Sequence, residues 1–417
     1  MSDADEAVRR RIDLLVRRGR GRLVADLVGR LGGARLDLAE DVAQEALAAA
    51  IVTWPYRGVP DNPAAWLNRV ARNKAYDRLR RENRETGYDP DTDGRSEDPV
   101  SVIDGAGLDD AELNLIFLCC HPDLDEKSTL SLTLKVAGGF TAREVAGVFL
   151  EADTATGQRL ARAKRRLRDL GAEAVEPPSR FDMARRLGSV LKVIYLMFAL
   201  GYAPRQGEAL LRRDVAMEAL RLIRVLVGHR ATATPDAHAL AALIAFQASR
   251  FDAREADDGN PVLLADQDRG LWDQALIAEG LSHLQAAQSG SDVSVYHLEA
   301  GIAAAHALSP SWEACNWPGI VALYDTLADR TASPVVAINA CVARAMAGDA
   351  ALAMRDLEAL SNTKGLEAYL PFHLARAEIQ RRLTCRADAR SAYQKALSCR
   401  GPAPVLRHLE NCLAAST

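Results

Sequence analysis

The sequence predicts an all-α protein. Apolar residues recur at three- and four-residue spacing along almost the whole chain, and the alternating Val, Ile, Thr and aromatic runs that mark strands are absent. The periodic stretches are separated by Gly, Pro, Asp and Thr positions suited to stopping or capping helices. With 417 residues, 48% hydrophobic and 26% charged, the chain can bury more than one core. A prior of about 150 residues per domain fits two or three domains.

The first helices are predicted over Ala4 to Arg18, Gly21 to Leu31 and Leu38 to Val52. Pro55, Gly58, Pro60 and Pro63 break the pattern, and a helix from Ala64 to Arg84 completes a first domain, residues 1–86. Residues 87–110 have little apolar content and are rich in Asp, Gly, Ser and Pro, so they read as an acidic flexible linker. A second helical unit, 111–176, is predicted from Ala111 to Cys120, Asp125 to Ala137, Thr141 to Phe149 and Thr154 to Leu170. Gly138-Gly139 stops one of these helices, Thr141 with Glu144 forms a capping box for the next, and Thr154 caps the last. Two helices joined by the short Leu150 to Asp153 turn, the second one basic, outline a helix-turn-helix.

Pro177-Pro178 closes that unit, and residues 177–417 are Ala- and Leu-rich helix. Pro334 to Ala347 with Asp349 to Leu360 resembles Tyr369 to Leu383 with Ala387 to Leu397, and Pro404 to Ala414 can cap the array. That helix-pair period is the one expected of tetratricopeptide-like units.

The net charge of -4 conceals a strong asymmetry. Ala71 to Arg84 is basic, Glu85 to Asp110 is acidic, and Thr154 to Arg168 carries Arg159, Arg162, Lys164, Arg165, Arg166 and Arg168 with no acid. Two basic helices separated by an acidic spacer suggest two contacts with one polyanion, the alternative being simply solvated faces. The N-terminus lacks an apolar signal core, and no run approaches the roughly 18 apolar residues of a membrane span, so a cytoplasmic protein without a membrane partner is expected. Seven cysteines without CxxC spacing fit reduced thiols. Cys119-Cys120-His121 does not supply a spaced metal-ligand set and reads as core. No GxxxxGK[ST] loop, GxSxG elbow or HExxH is present, so neither catalysis nor a cofactor is expected.

Asp37-Leu-Ala-Glu-Asp41-Val-Ala-Gln44-Glu45-Ala, then Trp54, then Asn62-Pro-Ala-Ala-Trp66-Leu-Asn-Arg69-Val-Ala-Arg72-Asn73-Lys74-Ala-Tyr-Asp77-Arg78-Leu-Arg80-Arg81 resembles region 2 of the sigma-70 family. Gly139-Phe-Thr141-Ala-Arg-Glu144-Val-Ala146 through Gln158-Arg159-Leu160-Ala-Arg162-Ala163-Lys164 is similar to region 4. Ile116 to Pro122, Val193 to Leu196, and Asp266-Gln267-Asp268-Arg269 with Trp272 to Gly280 resemble the extracytoplasmic-function group with a fused tetratricopeptide-like domain.

The resemblance implies a factor that binds core RNA polymerase and promoter DNA and is controlled by its own C-terminal domain, on meeting an unidentified ligand or protein. It implies that Asp41, Gln44 and Glu45 dock on the β′ clamp coiled coil; they share one helix face. Asn62, Trp66, Arg69, Asn73, Lys74, Arg78 and Arg81 are implied for the minus-ten element, where single-stranded bases need stacking surfaces and backbone cations. Trp66 reads as core ahead of a stacking platform. For the minus-thirty-five element the resemblance implies Thr154, Thr156, Gln158, Arg159 and Arg162 at the groove, with Lys164, Arg165 and Arg166 on phosphates or the β flap. The chain departs from the family pattern at Ala152, Ala155 and Thr156, the last standing where an apolar residue is usual, and at Phe198-Ala-Leu-Gly-Tyr202. The rival reading is a stand-alone helix-turn-helix regulator with a ligand-sensing domain.

Overall fold

The computed structural model describes residues 19–85, 110–149, 151–170, 180–204, 209–290 and 292–415, and it divides into two compact units, Met1–Met197 and Phe198–Thr417. The described residues are helical, as predicted, with extended pairing confined to the isolated bridges Glu255–Pro261 and Tyr369–Arg400. The predicted helix from Ala4 to Arg18, Pro177-Pro178 and all of the acidic linker except Asp110 lie outside the described residues.

The first unit begins with α1 (residues 19–31), α2 (Leu36–Arg57) and α3 (Pro63–Glu85). α2 runs one turn beyond the predicted end because Pro55 sits in its last turn, where few bonds are lost, and the stop is Gly58 at φ 80. α3 starts with Pro63 in its first turn, and Asn62 caps it by accepting the Ala65 N–H at 3.0 Å. Trp54, Leu36, Val42, Leu67, Ala71 and Ala75 are buried.

α4 (Ala111–Cys119), α5 (Glu126–Val136), α6 (Ala142–Phe149) and α7 (Asp153–Asp169) follow around Leu113, Phe117, Leu134, Phe140 and Leu167. Asp110 and Asp125 cap α4 and α5, and Gly139 at φ 69 follows the end of α5. The predicted capping box closes in both directions: Glu144 N–H donates to Thr141 Oγ1 at 3.2 Å and Thr141 N–H to Glu144 Oε2 at 2.7 Å. The cap expected of Thr154 does not form. Ala152 precedes the helix without a side-chain cap, and Asp153 places its carboxylate in the first turn, where the helix dipole favours it.

α1 meets the end of α5 at Gly21, where a Cβ would lie 2.2 Å from the Ala137 carbonyl oxygen, so only glycine allows the approach. α8 (Arg180–Tyr202) spans the division between the units, and its Arg186 donates to the Phe117 carbonyl at 3.1 Å within the first. The compact division thus falls at Met197, later in the chain than Pro177.

In the second unit, α9 (Arg213–Gly228) and α11 (Gln274–Ala287) flank α10 (Pro235–Ala248), which is buried along nearly its whole length. Gly280 lets α11 approach, since a Cβ there would stand 2.7 Å from the Phe246 ring. Residues 249–273 form short 3-10 turns and the isolated Glu255–Pro261 bridge. α12 (Val295–Leu308), α13 (Trp317–Thr331) and α14 (Pro334–Met346) enclose Leu298, Ile302, Trp317 and Ile320. α14 then packs on α15 (Ala350–Ala359) and α16 (Leu370–Arg382), α16 on α17 (Arg386–Leu397), and α17 on α18 (Ala403–Ala415). No described helix is long and apolar enough to cross a membrane.

Candidate nucleic-acid and polymerase interface

α2 presents acids and α3 presents cations, and the two sets meet. Lys74 Nζ donates to Glu45 Oε2 at 2.8 Å, and Arg78 reaches Asp41 Oδ2 at 3.2 Å and Glu45 Oε1. The Lys74 hydrogen bond, against the opposing effect of burial, holds the Glu45 carboxyl below its ordinary range. These side chains are partly exposed, so each pair contributes only about 0–1 kcal/mol and is open to exchange. Two expected polymerase-binding residues therefore neutralise two expected DNA-binding residues, while Gln44 stays exposed.

Arg69, Asn73 and Arg81 face solvent along α3, as does Asn62 in its capping role. Trp66 is half-buried, with its ring 5.5 Å from that of the buried Trp54 in an edge arrangement. Tyr56, absent from the sequence-derived set, is 89% exposed at the end of α2, beside Val52 and close in sequence to the Pro-rich turn. Its ring is thus a large surface open to solvent; its place after Trp54-Pro55 was the available signal. Arg30, Arg35 and Arg72 also line, with Tyr76, a cleft of about 220 Å3 between α1 and α3.

α7 sorts its side chains by helical period. Thr156, Leu160, Ala163 and Leu167 are buried at alternating spacings of four and three. Thr154, Gln158, Arg162 and Arg165 form the exposed stripe on the opposite face. Thr156, expected at the groove, is instead in the core at 0% exposure, because its position belongs to the apolar stripe. Arg159 is turned aside to Glu151 and to Ser131 Oγ at 3.4 Å, and Arg166 pairs with Asp123 at 3.0 Å. Lys164 reaches across to α2, at 2.5 Å from Glu40 Oε2 and 3.3 Å from Asp37 Oδ1, and Arg168 also engages Asp37. Burial by itself depresses the Lys164 pKa, but Glu40 and Asp37 outweigh it and hold it above the ordinary value.

Cys119 and Cys120 are buried beneath this surface, and burial pushes the Cys120 thiol up to about 12. The described residues contain no group of three His, Cys, Asp or Glu side chains placed to hold a metal.

An acidic helix paired with a basic one thus precedes a compact bundle that ends in a cationic helix. The sigma-70 region 2 family model matches residues 16–85, and a family of unknown function, DUF6596, matches residues 186–288. An uncharacterized protein of Rhizobium meliloti (strain 1021) is 37% identical over 370 residues, covering 87% of this chain and 86% of that protein. No solved structure matches the chain. The chain belongs to one family with the Rhizobium meliloti protein, and its residues 16–85 match the region 2 domain of sigma-70 factors, transcription initiation factors rather than enzymes that act with core RNA polymerase on promoter DNA.

Proposed function

We propose that this chain is a sigma factor of the extracytoplasmic-function type that reads the minus-ten element with residues 1–86 and the minus-thirty-five element with a helix-turn-helix in residues 111–176. Residues 87–110 tether the two, and the tetratricopeptide-like remainder, residues 177–417, regulates them on meeting a ligand or partner. The observation that carries the reading is the open stripe of Arg69, Asn73 and Arg81 on α3, in the same region 2 segment as the solvent-exposed Tyr56. Cations along the backbone and a ring for a base are the two requirements of single-strand capture.

Asp41, Gln44 and Glu45 meet the β′ clamp coiled coil, which exchanges its own cations for Lys74 and Arg78 and releases those to DNA. On α7, the stripe of Thr154, Gln158, Arg162 and Arg165 supports groove reading in place of Thr156. Lys164 and Arg166 take phosphates or the β flap after leaving Asp37, Glu40 and Asp123. A stand-alone regulator leaves the region 2 match without a use.

The test reconstitutes the full chain with core polymerase and a promoter carrying a fluorescent base analogue in the minus-ten strand. Promoter-dependent transcription is expected, with Tyr56→Ala preserving core binding and slowing strand opening about tenfold. Absence of promoter-dependent transcription, or opening unaffected by both Tyr56→Ala and Arg69→Ala, would overturn the assignment.

A further inference from the structure

The Asp266-Gln267-Asp268-Arg269 to Trp272 motif has no part in promoter reading, and it sits in an unbalanced electrostatic setting within the second unit. Arg250, just past α10, is 9% exposed, and Arg254 and Arg269 are half-buried. Among the described residues none of the three is ion-paired with a carboxylate, and the nearest negative charge that Arg269 acts on is the solvent-facing Glu313, whose pKa hydrogen bonding lowers first and Arg269 helps to lower. Arg250 donates to Tyr202 Oη and to Gln247 Oε1 at 2.5 Å. Arg254 donates to the Tyr202 carbonyl at 2.6 Å and stacks 3.7 Å from that residue's ring. Arg269 donates to the His306 and Ser309 carbonyls, both at 2.7 Å. Those carbonyls close α8 and α12, where the helix dipole carries only about half a negative charge. It orients a guanidinium without neutralising it.

The cations also act on one another and on their surroundings. Burial, and then the like charge of Arg250, lowers the Arg254 pKa. Burial, followed by Arg250 and Arg269, pushes His306 down to about 4.

A second observation is independent of charge. Arg250 Nε, Arg269 Nη2 and Trp272 Nε1 are buried donors without an acceptor, and Gln267 Oε1 is a buried acceptor without a donor. Buried donors are almost always paired. These three cluster about one indole, with the Arg269 guanidinium 4.5 Å and that of Arg250 5.8 Å from the Trp272 ring. The irregular segment 249–273, longer than ordinary connections between helices, supplies all three residues.

We propose that Arg250, Arg269 and Trp272 form a binding site for a small oxyanion-bearing metabolite, whose phosphate or carboxylate group accepts the Arg250 Nε, Arg269 Nη2 and Trp272 Nε1 hydrogens. The anion supplies the negative charge that the arginines lack, and it ties segment 249–273 to α12, whose last carbonyls Arg269 already holds. The site deepens the regulatory reading of the C-terminal domain by giving its ligand a chemistry. It stands apart from promoter recognition, so its test needs no polymerase and its failure leaves the sigma-factor reading untouched.

The full chain is titrated with inorganic phosphate and, separately, with citrate, at ionic strength matched with sodium chloride, and followed by calorimetry and thermal melting. Saturable binding of at least one anion is expected, with a melting temperature that rises with its concentration. Binding of phosphate alone assigns a phosphate group, and of citrate alone a carboxylate. Trp272→Phe removes the N–H along with part of the buried ring system, so its melting temperature in chloride falls, while its affinity for the anion, measured well below that melting temperature, should be about tenfold weaker; Arg250→Gln should bind more weakly still. No saturable binding by either anion, or wild-type affinity in both variants, would overturn the proposal.

Discussion

Replacing Thr156 with valine is expected to stabilise the first unit and leave minus-thirty-five recognition intact. Thr156 is fully buried on α7, and its Oγ1 has no hydrogen-bond partner. Valine has nearly the same shape, so the packing around Leu160 and Ala163 survives while the stranded hydroxyl is removed. A buried hydroxyl without a partner costs about 1–3 kcal/mol, and the helix propensities of the two residues are similar. The gain is therefore about 1–2 kcal/mol, close to tenfold in the local opening equilibrium. Hydrogen exchange of peptides from residues 153–169 reads that opening in the intact chain, and transcription from a promoter dependent on its minus-thirty-five element reads recognition. Faster exchange in Thr156→Val would refute the assignment of an unpartnered hydroxyl. Loss of minus-thirty-five dependence would show that Thr156 turns outward to meet bases.

Two further outcomes follow from charges inside the chain. Glu40 is 7% exposed and Lys164 is 22% exposed at an approach of 2.5 Å. Glu40→Gln and Lys164→Gln should therefore be non-additive, with a coupling of about 1–2 kcal/mol after allowing for the solvent that reaches Lys164. Additive hydrogen-exchange effects on α2 and α7 would reject that coupling. Acidification should weaken the α12–α13 region. The folded chain holds His306 at about 4, against an ordinary 6.5, so the unfolded chain takes up its proton first. The stability is full above about pH 6.5 and falls toward pH 4, by up to about 3 kcal/mol. His238 and His283, lowered mainly by burial, act in the same direction. Melting of His306→Gln should depend less on pH than melting of the wild type, and parallel curves would refute the account.

The helices were legible because each carries local signals. The Thr141–Glu144 box, the Gly138-Gly139 stop and the Pro334 start all act over three or four residues, so spacing alone exposes them. Where local rules competed, the sequence misled. Thr154 is a good capping residue, yet the helix begins one residue earlier behind Ala152. Pro55 reads as a breaker, yet in a last turn it breaks little. The site was less legible, because its geometry depends on pairs far apart in sequence. Lys164 reads as one cation in a basic run until Asp37 and Glu40 close on it from α2, and nothing local in the sequence marks Arg250, whose hydrogen bond to Tyr202 spans 48 residues. Thr156 was within reach. Its departure from an apolar position already placed it on the buried stripe of α7.

The contact of Asp37 and Glu40 with Lys164 and Arg168 gives α7 its own bound counterions. Proteins that grip DNA displace small ions from phosphates, and the steepness with which added salt weakens binding counts the phosphates neutralised. Here, some of the positive charge that phosphates would claim is first held by carboxylates of the same chain, and salt loosens that internal grip as well as the external one. The two effects oppose each other in the measured slope. A salt titration of promoter binding by this chain will therefore count fewer phosphates than it touches, and Asp37→Asn will steepen the slope without adding a single contact to DNA.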